Sequence, residues 1–134
     1  MQSNQIFETV LYAEDLAAAE RFYHEALGLD VLKRSDLVVA LRCGAGVLLI
    51  FDPRKSGVAG RDVPSHGMSG VGHVAFAAKI QDLPAWREQL RRAGVAIDQE
   101  VEWDEGGRSI YFRDPAGNVV ELAPATIWGG GWEF

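Results

Sequence analysis

The chain alternates short apolar runs with polar turns, and the same order of runs occurs twice. The first run, residues 6–13, has the length and composition of a strand. Asp15 then offers a helix N-cap, and apolar residues recur at helical spacing until Gly28, a residue typical of the position after a helix. Three further strand-like runs follow, at 29–33, 37–42 and 47–51.

The second half repeats this order. Residues 71–78 form a strand-like run, Asp82 offers an N-cap, and Pro84 lies in the first helical turn, where its missing N–H does no harm. Gly94 marks the end of this helix. Three strand-like runs complete the half, at 96–103, 109–112 and 119–122.

The two halves differ by a short insertion and are joined by a polar segment. The helix cap follows Glu8 by seven residues in the first half and His73 by nine in the second. Element order and the two end-of-helix glycines nevertheless favour an internal repeat over a chance similarity between the halves of a generic α+β protein. We therefore predict a single α+β domain with two βαβββ modules, a linker and a Gly- and Trp-rich tail, at 6–52, 71–124, 53–70 and 125–134.

Composition and charge narrow the classes of function. The chain has 134 residues, of which 48% are hydrophobic and 24% charged, as in ordinary globular proteins. Its net charge of -6 and the lack of a basic block argue against nucleic-acid binding. No apolar run is long enough to span a membrane, and the N-terminus lacks a signal-peptide pattern. The lone Cys43 is interpreted as a small buried hydrophobe, and we expect a cytoplasmic protein.

Three polar side chains stand out because each lies inside an apolar, strand-like run. They are Glu8, His73 and Glu121. Placing a carboxylate or an imidazole in such a strand costs free energy unless something pairs with it. If the three side chains meet on one sheet face, two carboxylates and one imidazole would suit a divalent metal. The alternatives are a hydrogen-bonded core position for His73 and an exposed edge position for Glu8.

The chain resembles the vicinal oxygen chelate superfamily, which includes glyoxalase I, fosfomycin-resistance proteins, extradiol dioxygenases and bleomycin-resistance proteins. The resemblance covers roughly residues 7–124, and its most diagnostic segment is 109–122, SIYFRDPAGNVVEL. The other matching segments are 11–16, 21–23, 27–29 and 72–76. This resemblance implies a glyoxalase/bleomycin resistance/dioxygenase fold, in which two βαβββ modules form half-open barrels around a metal.

The resemblance also assigns ligands. Glu8 matches the first-strand ligand position, where relatives often have His, His73 matches the second position, and Glu121 matches the last-strand glutamate. In relatives of this length, the first-strand ligand commonly comes from the partner chain of a homodimer. Aligning Pro53 with Pro124 puts Ile50 opposite Glu121, so the fourth protein ligand of some relatives looks absent. The metal itself stays open among Mn, Fe, Ni, Zn and Mg.

Two further residues are candidates for contacting a substrate. Tyr111 shares a strand face with Ser109 and Arg113, and its hydroxyl could donate a hydrogen bond to a bound oxyanion. Aromatic packing in the barrel wall explains Tyr111 equally well. Arg108 could reach an anionic substrate, or it could be a solvated hairpin arginine. In the tail, Trp132 and Phe134 could dock over a cleft or a partner subunit.

The resemblance supports two classes of function. The first is a metal-dependent enzyme that chelates a small oxygenated substrate, most simply a glyoxalase-like lyase or isomerase, or a related dioxygenase. Fosfomycin resistance is disfavoured because Val10 stands where those relatives have threonine. The alternative is a metal-free, dimeric drug-binding protein similar to the bleomycin-resistance group, since an acidic groove would attract a cationic drug.

Overall fold

The computed structural model describes residues 1–132 and contains two compact units, Met1–Gly70 and the chain from Val71 onward. The first unit has the predicted βαβββ order. Its elements are β1 (Glu8–Tyr12), α1 (Leu16–Leu27), β2 (Asp30–Arg34), β3 (Val38–Cys43) and β4 (Gly46–Phe51). The strands form one mixed sheet in the order β1-β4-β3-β2, in which β1 runs parallel to β4.

Helix α1 begins and ends as its sequence predicts. The Ala18 backbone N–H donates to the Asp15 side chain at 2.9 Å, and Gly28 takes a left-handed φ of 70° at the C-terminus. The buried stripe of the helix shares the core with one face of the sheet. This core contains Ala19, Tyr23, Ala26 and Leu27 from the helix and Val39, Leu41, Leu48 and Ile50 from the strands.

The predicted linker is partly structured. It opens with the single helical turn α2 (Pro53–Ser56), whose preceding residue Asp52 accepts a hydrogen bond from the Arg54 N–H at 2.9 Å. Ser56 is fully buried. The segment after β4 is therefore attached to the first unit rather than being only a surface connection.

The second unit repeats the plan. Its elements are β5 (His73–Ala77), α3 (Leu83–Arg92), β6 (Ile97–Glu102), β7 (Arg108–Arg113) and β8 (Val119–Ala123). The sheet order is β5-β8-β7-β6, and β5 runs parallel to β8 as β1 does to β4. The unit also contains two 3₁₀ turns, Ile80–Asp82 between β5 and α3 and Ala125–Trp128 after β8.

The start of α3 differs from the sequence expectation in one respect. Asp82 occupies the N-cap position, but its side chain makes no capping hydrogen bond. The reason is that Asp82 already belongs to the 3₁₀ turn and has helical backbone angles, whereas a capping side chain needs an extended N-cap residue.

A shared irregularity confirms the internal repeat. The pairing of β2 with β3 shifts register between Val31 and Lys33, and the pairing of β6 with β7 shifts between Ile97 and Gln99. A bulge at the same place in both hairpins is a similarity between the halves in addition to their shared element order. The predicted α+β fold of two βαβββ modules is therefore confirmed.

Each face of the second sheet has a distinct character. One face carries Ile110, Phe112, Val120 and Leu122, which are fully buried and form the core with Leu83 and Leu90 of α3. The opposite face carries the polar residues discussed below. Within residues 1–132, no helix has the length and apolar character needed to cross a membrane.

Candidate functional site

Three of the predicted site residues lie on one face of the second sheet. Tyr111 of β7 and Glu121 of β8 are directly opposite each other in the antiparallel pair. His73 of β5 is paired with Val119, two residues before Glu121 on the same strand. Because side chains two residues apart point to the same face, His73, Glu121 and Tyr111 share that face.

The polar atoms of these side chains converge on Glu121. The Tyr111 hydroxyl donates a hydrogen bond to Glu121 Oε1 at 2.8 Å, and His73 Nε2 lies 3.2 Å from Glu121 Oε2. Glu121 is only 5% exposed, whereas the His73 side chain is 50% exposed. The cluster therefore combines a buried carboxylate with a solvent-accessible imidazole.

The other ring nitrogen of His73 fixes its tautomer. Nδ1 lies 3.2 Å from the Val119 carbonyl oxygen. A carbonyl can only accept, so Nδ1 carries the proton and donates it. In the neutral imidazole, Nε2 then presents its lone pair towards Glu121. A backbone carbonyl that accepts from Nδ1–H is one of the usual partners of a metal-binding histidine, along with carboxylates and water.

Tyr111 is held in its protonated form. Burial, followed by the hydrogen bond to Glu121 and its negative charge, raises the pKa of Tyr111 to about 12. Its ring also stacks on the His73 ring, with centroids 6.4 Å apart and planes 24° apart. The hydroxyl, which the sequence offers as one possible donor to a substrate oxyanion, donates to Glu121 in this structure.

The donor set fits a divalent cation. A neutral imidazole nitrogen and a carboxylate oxygen, both electron-pair donors, face one another, so a cation or a proton is needed between them. Neighbouring ligands of one ion at metal distances of 2.0–2.2 Å lie about 3 Å apart, close to the observed separation. Across residues 1–132, no group of three or more His, Cys, Asp or Glu side chains is placed to hold a metal. Within the second unit, the structure therefore brings two candidate ligands together, His73 and Glu121.

Glu8 belongs to the first unit. It is the exposed first residue of β1 in the first unit, where it pairs with Val47. Of the three predicted metal ligands, His73 and Glu121 thus lie together in the second unit, whereas Glu8 belongs to the first.

The backbone hydrogen bonds define which residues of the two halves are equivalent. Directly after β1, the Ala13 N–H donates to the Phe51 carbonyl at 3.0 Å. Directly after β5, the Ala78 N–H donates to the Ala123 carbonyl at 2.9 Å. Phe51 and Ala123 are therefore equivalent positions at the ends of β4 and β8.

This equivalence corrects the predicted position of the absent fourth ligand. Counting back two residues from each strand end places Leu49, not Ile50, at the position of Glu121. Ile50 is fully buried on the opposite, core-facing side of its sheet. The alignment on prolines was one residue out of register, and such a slip exchanges the two faces of a strand. Leu49 cannot bind a metal either.

Arg108 lies on the other side of β7 from Tyr111, because the two residues are three positions apart. Its guanidinium forms ion pairs with Glu100, at 3.3 Å, and with Glu102. It lines a groove of about 470 Å³ that also includes Trp103, at the hairpin joining β6 to β7. Arg108 is therefore occupied by carboxylates of its own unit and is separate from the His73 cluster.

The first unit contains a polar contact that the sequence analysis missed. The Tyr12 hydroxyl and His66 Nδ1 are 2.8 Å apart, and the His66 ring stands edge-on to Phe51 at 4.6 Å. Nothing in the sequence indicates this pair, because 54 residues separate its members and His66 lies in the predicted linker. This contact secures the segment after α2 against the sheet of the first unit.

The tail lies near the end of the second sheet. Trp132 lines a second groove of about 330 Å³ with Ala78 and Pro124, and its indole N–H donates to the Trp128 carbonyl at 3.2 Å. Docking of Trp132 over a partner subunit stays a prediction. Phe134 lies outside the described residues.

Comparison with known proteins agrees with this architecture. The family model of the Glyoxalase/Bleomycin resistance protein/Dioxygenase superfamily matches residues 5–122. The chain is 32% identical over 118 residues to glutathione transferase FosA of Serratia marcescens, covering 87% of this chain and 78% of the relative. It is 26% identical over 133 residues to metallothiol transferase FosB of Bacillus licheniformis, covering 96% and 82%.

A solved structure is similar over nearly the full length. The crystal structure of lactoylglutathione lyase from Agrobacterium tumefaciens superimposes with a TM-score of 0.91 at 37% identity, covering 97% of this chain and 100% of that one. Together with the repeated βαβββ modules, these matches show that the chain belongs to the glyoxalase/bleomycin resistance protein/dioxygenase superfamily.

Proposed function

We propose that this protein is a metal-dependent enzyme. His73 and Glu121 hold a divalent ion, and the oxygens of a small substrate chelate that ion. The observation that carries the proposal is the 3.2 Å approach of His73 Nε2 to Glu121 Oε2, with Nδ1 committed to a backbone carbonyl. When bound, a divalent ion supplies Lewis-acid chemistry towards a carbonyl or hydroxyl oxygen.

The protein side chains have distinct tasks in this proposal. Glu121 and His73 hold the ion, and Tyr111 orients Glu121 by donating to Oε1, so that Oε2 stays directed at His73. Two protein ligands leave several coordination positions open for substrate oxygens. The half-exposed His73 side chain would allow a substrate to reach these positions from solvent.

Glu8 is proposed as a third ligand, donated by a second copy of the chain. Its exposure at the start of β1 supports this role, as does the partial exposure of the surrounding sheet face, where Val10 is 37% exposed. A homodimer would cover that apolar face. The site would then contain Glu8 of the partner subunit beside His73 and Glu121.

The reaction we propose is that of a lyase or isomerase acting on a small carbonyl compound, with a related dioxygenase as the second choice. Similarity to a lactoylglutathione lyase supports the first choice. That relative and the glutathione transferase FosA both carry a glutathione compound in their names. We therefore expect the substrate to be an adduct of a low-molecular-weight thiol, or to react with one.

A turnover assay on the metal-loaded protein tests this proposal. The protein, supplied in turn with Mn, Fe(II), Ni, Zn and Mg, is incubated with the glutathione hemithioacetal of methylglyoxal, and thioester formation is followed by absorbance. Metal-dependent turnover that is lost in Glu121→Gln supports the lyase. Oxygen uptake with catechols instead would indicate the dioxygenase. Bleomycin binding without any metal requirement would favour the metal-free drug-binding alternative.

A further inference from the structure

The turn between β7 and β8 is held together by side chains that are buried. Asp114 Oδ1 accepts hydrogen bonds from the backbone N–H groups of Ala116, at 3.0 Å, and Asn118, at 2.9 Å. The Asn118 side-chain amide donates to Asp114 Oδ2 at 2.8 Å. Asp114 is 5% exposed and Asn118 is 1% exposed. The orientation of the Asn118 side chain is therefore fixed.

This fixed side chain reaches the residue before His73. Asn118 Oδ1 accepts a hydrogen bond from the Gly72 N–H at 2.9 Å, and the Gly72 carbonyl accepts one from the Val119 N–H at 2.9 Å. His73 forms the first rung of the β5–β8 pair, at a strand end, where sheets ordinarily fray. Asn118, with Asp114 behind it, thus clamps the start of β5 one residue ahead of the imidazole. We call these contacts the Asn118 clamp.

The first half of the molecule has the same backbone and lacks the clamp. Val47 N–H donates to the Phe7 carbonyl at 2.9 Å, as Val119 N–H does to the Gly72 carbonyl. The position equivalent to Asn118 is Gly46, which has no side chain. The repeat therefore forms this strand pair without a clamp, and the clamp occurs in the half that carries the proposed histidine ligand.

We infer that Asn118 is a positioning residue for the metal site: it fixes the start of β5 so that His73 Nδ1 meets the Val119 carbonyl and Nε2 meets Glu121. This inference rests on the proposed function, since it assigns His73 to the metal. The imidazole is half exposed, so packing beyond the stack on Tyr111 does little to hold it. Its direction is set instead by the backbone from which it projects, and the clamp fixes that backbone.

Metal affinity of an Asn118→Ala variant is the first test. Loss of a group that orients a metal ligand typically weakens binding 10–100-fold. We expect the Kd for Zn or Mn, measured by calorimetry, to rise about tenfold or more. Leu90→Val is the control, because it perturbs the core of the same unit without touching the clamp. Equal affinity in Asn118→Ala and Leu90→Val would overturn the inference.

Exchanging the two side chains of the clamp keeps the net charge and tests whether the lost metal affinity can be restored. In the double variant Asp114→Asn with Asn118→Asp, the donor and acceptor of the buried pair change places. The new Asp at 118 can still accept from Gly72 N–H, and the new Asn at 114 can donate to it. We expect the double variant to recover most of the metal affinity lost in Asn118→Ala. A double variant that binds metal as weakly as Asn118→Ala would contradict the clamp.

A metal-free measurement separates this inference from the proposed function. In the unaltered protein, NMR should show the Gly72 amide exchanging much more slowly than that of Val71, and His73 protonated at Nδ1. Rapid exchange at Gly72, or a proton at Nε2 alone, would refute the clamp even if the other variants failed to fold. Absence of metal binding by the unaltered protein would refute the proposed function and leave the clamp to be decided by NMR.

Discussion

At the scale of single residues, the site depends on how the charge of Glu121 is compensated. The carboxylate is almost fully buried, and an uncompensated buried charge is expensive. Tyr111 compensates one oxygen with a hydrogen bond, and the second oxygen lies 3.2 Å from His73 Nε2. A cation held by both groups completes the compensation, and this is the physical basis of the proposed metal site.

Tyr111→Phe should weaken metal binding by about tenfold, because Glu121 loses the hydrogen bond that orients its ligand oxygen. Calorimetric titration with Zn and Mn measures the change. Tyr12→Phe is the matched control, since it removes a tyrosine hydroxyl that bonds to His66 in the first unit. A Tyr111→Phe protein with the affinity of Tyr12→Phe would remove Tyr111 from the site.

The pKa of Tyr111 predicts a loss of stability at high pH. Its ordinary value of 10.0 is raised to about 12 in the folded protein, so the folded state holds this proton more tightly than the unfolded state. The resulting stabilisation is complete below about pH 10 and is lost as the pH rises towards about 12. Urea unfolding between pH 8 and pH 11.5 should therefore show a steeper loss above pH 10 in the unaltered protein than in Tyr111→Phe. Parallel curves would contradict the assignment.

The sequence identifies His73 and Glu121 as candidate ligands, but it does not show which side chains they contact. Each stands out as a polar residue in an apolar strand, and the resemblance names both as ligands. Strand alternation places Tyr111 on a face but cannot show which strand lies opposite it, so its bond to Glu121 was not foreseen. The Ile50 assignment was wrong by one position, because a proline just outside a strand does not fix hydrogen-bond register.

At the scale of elements, the two helices share a plan but start differently. Asp15 caps α1 with its side chain, whereas Asp82 stands at the equivalent place before α3 without capping it. The element order and both terminal glycines could be read from sequence periodicity. The 3₁₀ turn before α3 could not, because it depends on how the chain leaves β5 rather than on any residue preference.

Asp15→Ala should destabilise the protein by about 1 kcal/mol, since the first turn of α1 loses its capping oxygen. Asp82→Ala should cost much less, because no capping bond is lost. Urea unfolding of the two variants provides the comparison. An equal loss in both would mean that Asp82 caps α3 in solution.

At the scale of the whole molecule, the two halves share a backbone plan but differ in the side chains on one sheet face. The first half carries Val10 and Leu49 where the second carries Ala75 and Glu121, so the two sheet faces differ in polarity while their backbones agree. The partly exposed apolar face of the first sheet, where Val10 is 37% exposed, is suited to pairing with another copy of the chain.

We predict a homodimer with shared sites. Light scattering should give twice the 14.7 kDa mass of the chain. Glu8→Ala and Glu121→Gln should each weaken metal binding, and a mixed dimer of the two variants should regain one intact site of its two. That recovery follows because the Glu121→Gln chain donates Glu8 to a partner that retains Glu121. A monomer at micromolar concentration, or no recovery on mixing, would contradict the shared site.

The most direct test of the central claim is a metal titration of the unaltered protein beside Glu121→Gln. Glu88→Gln is the control, since it also removes one negative charge, from a surface carboxylate paired with Arg91 and Arg92. We expect the unaltered protein and Glu88→Gln to bind one divalent ion per chain at neutral pH, and Glu121→Gln to bind it far more weakly because an amide oxygen is a poorer ligand than a carboxylate. Equal binding by all three proteins, or none by the unaltered protein, would contradict the assignment of His73 and Glu121 as a metal site.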